Sequence, residues 1–115
     1  NNRPYIEAWG TGKPTREFLY VDDAAEGILL ATEKNDKPEP INLGSGMEIS
    51  IKDLLATFCK IMDYAGVVRW DGSKPDGQPR RLLDVSKAQK EFGFKAKVDF
   101  QIGLKNTIDW YLKSV

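Results

Sequence analysis

The stretch Trp9-Gly10-Thr11-Gly12-Lys13-Pro14-Thr15-Arg16-Glu17-Phe18-Leu19-Tyr20-Val21-Asp22-Asp23 decides how the rest of the chain is read. It opens at the end of Tyr5–Trp9, a run rich in large apolar residues, and breaks on Gly10 to Pro14, a strong turn cluster. Arg16–Val21 then alternates polar and apolar residues, the period of a strand with one buried face. Asp22 and Asp23 offer N-cap oxygens to a helix over about Ala24–Glu33, with Ala25, Ile28, Leu29 and Thr32 as its stripe. The expected order is strand, turn, strand, helix, with Trp9 at a strand end and Arg16 at a strand mouth.

Beyond the polar, proline-bearing loop Asn35–Pro40, Ile41–Leu43 reads as a short strand ending at Gly44-Ser45-Gly46. Ser50-Ile51-Lys52-Asp53 resembles a capping box with aspartate in the usual Glu or Gln place. The helix it opens carries Ile51, Leu54, Leu55, Phe58, Ile61 and Met62 on one face, with Cys59 beside it. Val67–Trp70 reads as a strand, Asp71–Pro79 as an exposed loop, and Arg80–Val85 as its extension. Ser86-Lys87-Ala88-Gln89 is a capping-box pattern for a short helix ending near Gly93, and Gln101–Lys113 closes the chain with Leu104, Ile108, Tyr111 and Leu112 on one face. The expected fold class is α/β: a small mixed lobe of short strands and three to four helices, one domain over 1–115, with so modest a core that it leans on something else.

The 17 basic and 17 acidic residues cancel, so neither nucleic acid nor a membrane surface is an expected partner, and any anion site must be local. No histidine is present, which excludes a Ser-His-Asp triad, an imidazole base and the usual zinc sites. The single Cys59 builds neither a disulfide nor a thiolate cluster and fits a reducing, cytoplasmic setting. No apolar run approaches the roughly 20 residues that span a bilayer. Asn1–Tyr5 lacks signal-peptide character, and its abrupt start suggests a piece of a longer protein. Gly10-Thr11-Gly12 and Gly44-Ser45-Gly46 invite a dinucleotide-cradle reading, but neither runs directly into a helix, so tight turns are expected and no cofactor site is assigned.

Arg16 sits where its side chain reaches back over the turn toward a ligand, or else pairs at the surface with Glu17 or Asp22. Arg80-Arg81 follows the Lys74-Pro75-Asp76-Gly77-Gln78-Pro79 loop, and planar guanidinium groups suit bidentate contact with phosphate oxygens. Together these arginines suggest a diphosphate pocket. Trp9 either packs in the core, the reading its residue type favours, or presents its ring to a sugar or base. Asp76 accepts from sugar hydroxyls or makes an Asx-type turn before Gly77, the turn being the default. Asp22-Asp23 is explained by capping, and no catalytic residue is assigned.

The Trp9–Asp23 run resembles the signature that opens the substrate lobe of extended short-chain dehydrogenases acting on nucleotide sugars, the NAD-dependent epimerase/dehydratase family. Ile41-Asn42-Leu43-Gly44-Ser45-Gly46 and Lys74-Pro75-Asp76-Gly77-Gln78-Pro79-Arg80-Arg81-Leu82-Leu83-Asp84-Val85-Ser86 resemble it in the same order. The resemblance implies the substrate-binding part of a Rossmann-type enzyme without its Rossmann domain. It implies that Trp9 and Arg16 contact the nucleotide sugar, that Arg16 and the Arg80-Arg81 pair hold the pyrophosphate, and that Asp76 lies near the nucleotide end. The Trp9–Phe18 start and the Lys74–Arg80 loop are most similar to the branch that epimerises GDP-4-keto-6-deoxymannose at C3 and C5 and reduces C4 with NADPH. Such a parent is expected to be a homodimer whose upstream Rossmann domain holds NADP(H). The family's Tyr-x-x-x-Lys pair is missing: Tyr5, Tyr20, Tyr64 and Tyr111 are followed four residues on by Trp9, Ala24, Val68 and Val115. This chain alone is therefore expected to be inactive. A 4-epimerase or dehydratase of another nucleotide sugar, and a stand-alone binding or interaction module, remain alternatives.

Overall fold

The computed structural model describes residues 4–115; Asn1–Arg3, the front of the segment read for signal character, lie outside the described residues. The chain divides into two compact units, one comprising residues 4–16 with Glu48–Arg81, the other Glu17–Met47 with Leu82–Val115.

In the first unit the apolar run predicted as a strand forms β1, Tyr5–Trp9, which pairs in parallel with β4, Val67–Asp71, from Tyr5↔Val67 to Trp9↔Asp71. The second predicted strand is cut to β2, Thr15–Arg16, because Glu17 beyond it is drawn into loop contacts of the other unit. β2 pairs antiparallel with β3, Ile49–Ser50, in the register Thr15↔Ser50 and Arg16↔Ile49. The predicted helix is α2, Ile51–Ile61, opened by Ser50, whose Oγ accepts from the Asp53 amide at 3.0 Å. Ile51, Leu54, Leu55, Cys59 and Ile61 are half-buried, while Phe58 and Met62 of the predicted face are exposed. At Gly12, with φ +78°, a Cβ would come within 2.8 Å of the Trp70 ring and 2.9 Å of Lys52 Cβ, so the turn and its packing both require glycine.

The second unit holds α1, Val21–Lys34, α3, Ser86–Phe92, and α4, Phe100–Ser114. Ala88, Phe92 and Phe94 form its buried cluster, packed by Leu19, Leu30, Ala31, Ile41 and Leu43. Ile41–Leu43 forms no strand: Ile41 and Leu43 are held by this apolar packing instead of by a sheet partner. The buried face of α1 also differs from the predicted stripe. Asp23 and Gly27 are buried and Leu30 and Ala31 half-buried, whereas Ala25, Ile28, Leu29 and Thr32 face solvent. The helix begins at Val21 behind the extended Tyr20, so Asp22 and Asp23 lie inside its first turn and do not cap it. Asp23, only 3% exposed, accepts from the amides of Lys97 at 3.2 Å and Val98 at 3.0 Å.

Ser86 is likewise the first helical residue, not the cap: its amide and hydroxyl both donate to Asp84 Oδ1. Gly93 ends α3 in the left-handed conformation, as its sequence position suggests. Asp99 caps α4, where Ile108 is buried and Leu104 half-buried as predicted, but Tyr111 and Leu112 are exposed. Among the described residues no helix is long and apolar enough to cross a membrane.

Candidate functional site

All five candidate residues, Trp9, Arg16, Asp76, Arg80 and Arg81, lie in the first unit. The segment after Pro79 joins β2 edge-on: the Thr15 amide donates to Pro79 O at 3.0 Å and the Arg81 amide to Thr15 O at 3.2 Å, which sets Arg80 opposite Thr15 in a parallel bridge. Paired positions share a face and successive ones alternate. Thr15, Arg80 and Glu48 therefore fall on one side of this small frame, and Arg16 and Arg81 on the other.

On the first side Glu48 gathers its neighbours. Arg80 grips it at two points, Nε to Oε2 at 2.8 Å and Nη2 to Oε1 at 3.1 Å, and Thr15 Oγ1 donates to Oε2. The Arg80 hydrogen bond, then that of Thr15, holds the Glu48 carboxyl below the usual carboxylate range. On the other side Arg16 Nη1 donates to Thr15 O at 2.6 Å and Gln78 O at 2.8 Å. The surface pair with Glu17 or Asp22 is not formed: the guanidinium is taken by backbone carbonyls, and Glu17 accepts from backbone amides elsewhere. Among the described residues neither Arg16 nor Arg81 is paired with a carboxylate, so this side carries two uncompensated cations. The structure thus brings Arg16 and Arg81 to one face and ties Arg80 down on the other.

Trp9 is not a core residue. It ends β1 with 64% of its surface exposed, because the chain bends away at Gly10, whose amide donates to Asp71 O. The Lys74 ammonium stands 5.2 Å from its ring centroid, a cation–π contact that charges the exposed aromatic face. Asp76 makes a cross-loop clamp where the sequence suggested a local turn: its carboxylate accepts from the Thr11 amide at 2.6 Å and from Thr11 Oγ1 at 2.8 Å. Those two bonds, the amide's first, lower the Asp76 pKa. Sequence reading missed Glu48, Lys74 and Thr11. Thr11 and Lys74 both lie inside the family-like segments, and Lys74 carries the clearer signal, an ammonium in a loop that also holds arginines.

Both glycine pairs face a carboxylate. A Cβ at Gly10 would overlap the Asp76 carboxylate and one at Gly44 the Glu17 carboxylate, so the space beside each already holds an anion that repels phosphate. Glu17 is fixed there by two distant segments, accepting from the amides of Gly46 at 2.5 Å and Leu83 at 3.0 Å. Among the described residues no cluster of metal-binding side chains occurs.

This fold is that of part of a short-chain-dehydrogenase-type epimerase. It superposes on UDP-glucose 4-epimerase of Thermotoga maritima, solved with UDP-glucose, with a TM-score of 0.86 at 30% identity over 96% of this chain and 35% of that one. Residues 1–44 match the NAD dependent epimerase/dehydratase family, which bears out the resemblance carried by the Trp9–Asp23 run. More particularly, the whole chain is 43% identical to the probable GDP-L-fucose synthase 1 of rice, Oryza sativa subsp. japonica, over 35% of that protein's length. A GDP-L-fucose synthetase from Naegleria fowleri bound to NADP superposes with a TM-score of 0.88 at 30% identity, over 96% of this chain and 35% of that one. The chain spans about a third of the length of the relatives it matches.

Proposed function

We propose that this chain is the nucleotide-sugar-binding lobe, over 1–115, of a GDP-L-fucose-synthase-like epimerase/reductase, whose upstream Rossmann domain binds NADP(H) and carries the catalytic residues. The observation that carries this reading is the pair of uncompensated cations, Arg16 and Arg81, on one face of the β2 frame, in a chain 43% identical to a probable GDP-L-fucose synthase. A diphosphate supplies the negative charge that this face lacks. The exposed Trp9 with Lys74 at its ring offers a stacking surface for a sugar or base in the same unit. An additional domain is supported by α1, which leaves Val21, Ile28 and Leu29 in solvent, an apolar stripe the chain does not cover.

The test is titration of GDP into the full-length protein and its Arg16→Ala variant. Loss of a charge-assisted contact on the order of 1.5–3 kcal/mol lowers GDP affinity about tenfold to a hundredfold or more. Unchanged affinity would return Arg16 to a purely structural role as the partner of the Gln78 carbonyl. UDP binding as tight as GDP would move the protein to the alternative that the likeness to UDP-glucose 4-epimerase favours.

A further inference from the structure

We propose that Glu48 is a positioning residue for the anion site: by latching Arg80 and Thr15 on one side of the β2 frame, it fixes the register that presents Arg81 beside Arg16 on the other. The inference rests on the reading of the Arg16 and Arg81 face as a diphosphate site.

Three observations lead to it. The segment 79–81 meets β2 through only two backbone hydrogen bonds, both at Thr15, so backbone pairing alone leaves its register weakly held. Glu48 supplies what is missing. It immediately precedes β3, whose pairing with β2 is antiparallel, and its carboxylate receives two donors from Arg80 and one from Thr15. A two-point arginine–carboxylate contact fixes orientation as well as distance. Finally, Arg80 sits in a bridge flanked by the Pro79 and Arg81 backbone bonds to Thr15, so holding its side chain on the Glu48 face directs the next to the opposite face. A slip of one residue would exchange them: Arg81 would meet Glu48 and Arg80 would take the ligand side.

Arg80 therefore serves the frame and Arg81 the ligand. The latch sits in solvent, where a lone ion pair contributes little to stability. Its effect is expected in ligand affinity more than in melting temperature.

The experiment measures GDP binding by calorimetry, and KM and kcat for the nucleotide sugar, in the full-length protein. Glu48→Ala and Arg80→Ala are each expected to weaken GDP by roughly threefold to tenfold, the scale of loosening a charged contact without deleting it. KM should rise while kcat and melting temperature stay close to wild type. In an Arg81→Ala background both substitutions should lose their effect, because the group they position is gone. Glu48→Gln, which keeps the volume and still accepts from Thr15, should lose less and guards against a folding defect in the alanine variant. The latch is overturned if Arg80→Ala weakens GDP while Glu48→Ala does not, which makes Arg80 itself the ligand contact. It is equally overturned if the Glu48→Ala loss persists undiminished without Arg81. Failure of the unsubstituted protein to bind GDP overturns the underlying reading together with the latch, whereas GDP binding untouched by Glu48→Ala overturns the latch alone.

Discussion

Asp76 shows how a residue of a candidate site can work first on the fold around it. Its carboxylate accepts both the amide and the hydroxyl of Thr11, and these bonds lower its pKa. A carboxyl whose folded pKa lies below its unfolded value, near 4 for aspartate, contributes stability that is fully present above that unfolded value. The contribution is lost only as pH falls through the depressed folded value. The Thr11–Asp76 clamp should therefore hold from neutral pH down through the ordinary carboxylate range and loosen below it. Asp76→Asn substitutes a neutral acceptor, and the Thr11 amide should then exchange roughly tenfold faster at neutral pH. Exchange followed by NMR tests this, and an unchanged Thr11 rate would show that the clamp contributes nothing to local order. Of the candidate site, the sequence displayed Arg16, Arg80 and Arg81 because charged loop residues in a neutral chain stand out. It did not display Glu48 or Thr11, whose roles depend on partners more than thirty residues away.

At the scale of elements, the signals that held were those with a local cause. Tyr5–Trp9 became β1 over the same residues, Gly93 ended α3, and Ser50 capped α2 through the Asp53 amide. Those that failed required knowledge of what lies opposite. The stripe assigned to α1 followed its most apolar residues, yet the helix turns Gly27 inward because only a residue without a side chain lets Phe94 and Leu43 approach. A Cβ at Gly27 would lie 3.0 Å from Phe94 Cε1 and 3.1 Å from Leu43 Cδ1. Alanine gains about 1 kcal/mol of helix propensity over glycine, but forcing volume into a packed site typically costs about 1–3 kcal/mol. Leu43 has methyl groups that can shift, while Phe94 is held in the buried cluster. Gly27→Ala should thus be net destabilising by about 1 kcal/mol. The reading is a lower urea midpoint with an unchanged slope, and a raised midpoint would mean that propensity outweighs packing at this contact.

At the scale of the whole molecule, stability is unevenly distributed. Every buried hydrophobic residue among those described, Ala88, Phe92, Phe94 and Ile108, belongs to the second unit. The first unit relies on Gly12 packed against Trp70, the two short strand pairs and the Asp76 clamp, and α2 within it has no buried residue. Helices gain most of their stability from an apolar face packed in a core, and propensity alone leaves an eleven-residue helix marginal. Local opening should accordingly be easier in α2 than in α3 or in α4 around Ile108. In hydrogen exchange of the 115-residue chain, α2 amides should exchange at least about tenfold faster than those flanking Ala88 and Ile108. On the proposed function ligand should narrow the gap: GDP bound at the first unit would add free energy there, so α2 amides should slow while those around Ile108 change little. Equal protection of α2 and α4 without ligand would show instead that the chain opens as one cooperative body in spite of its unequal cores.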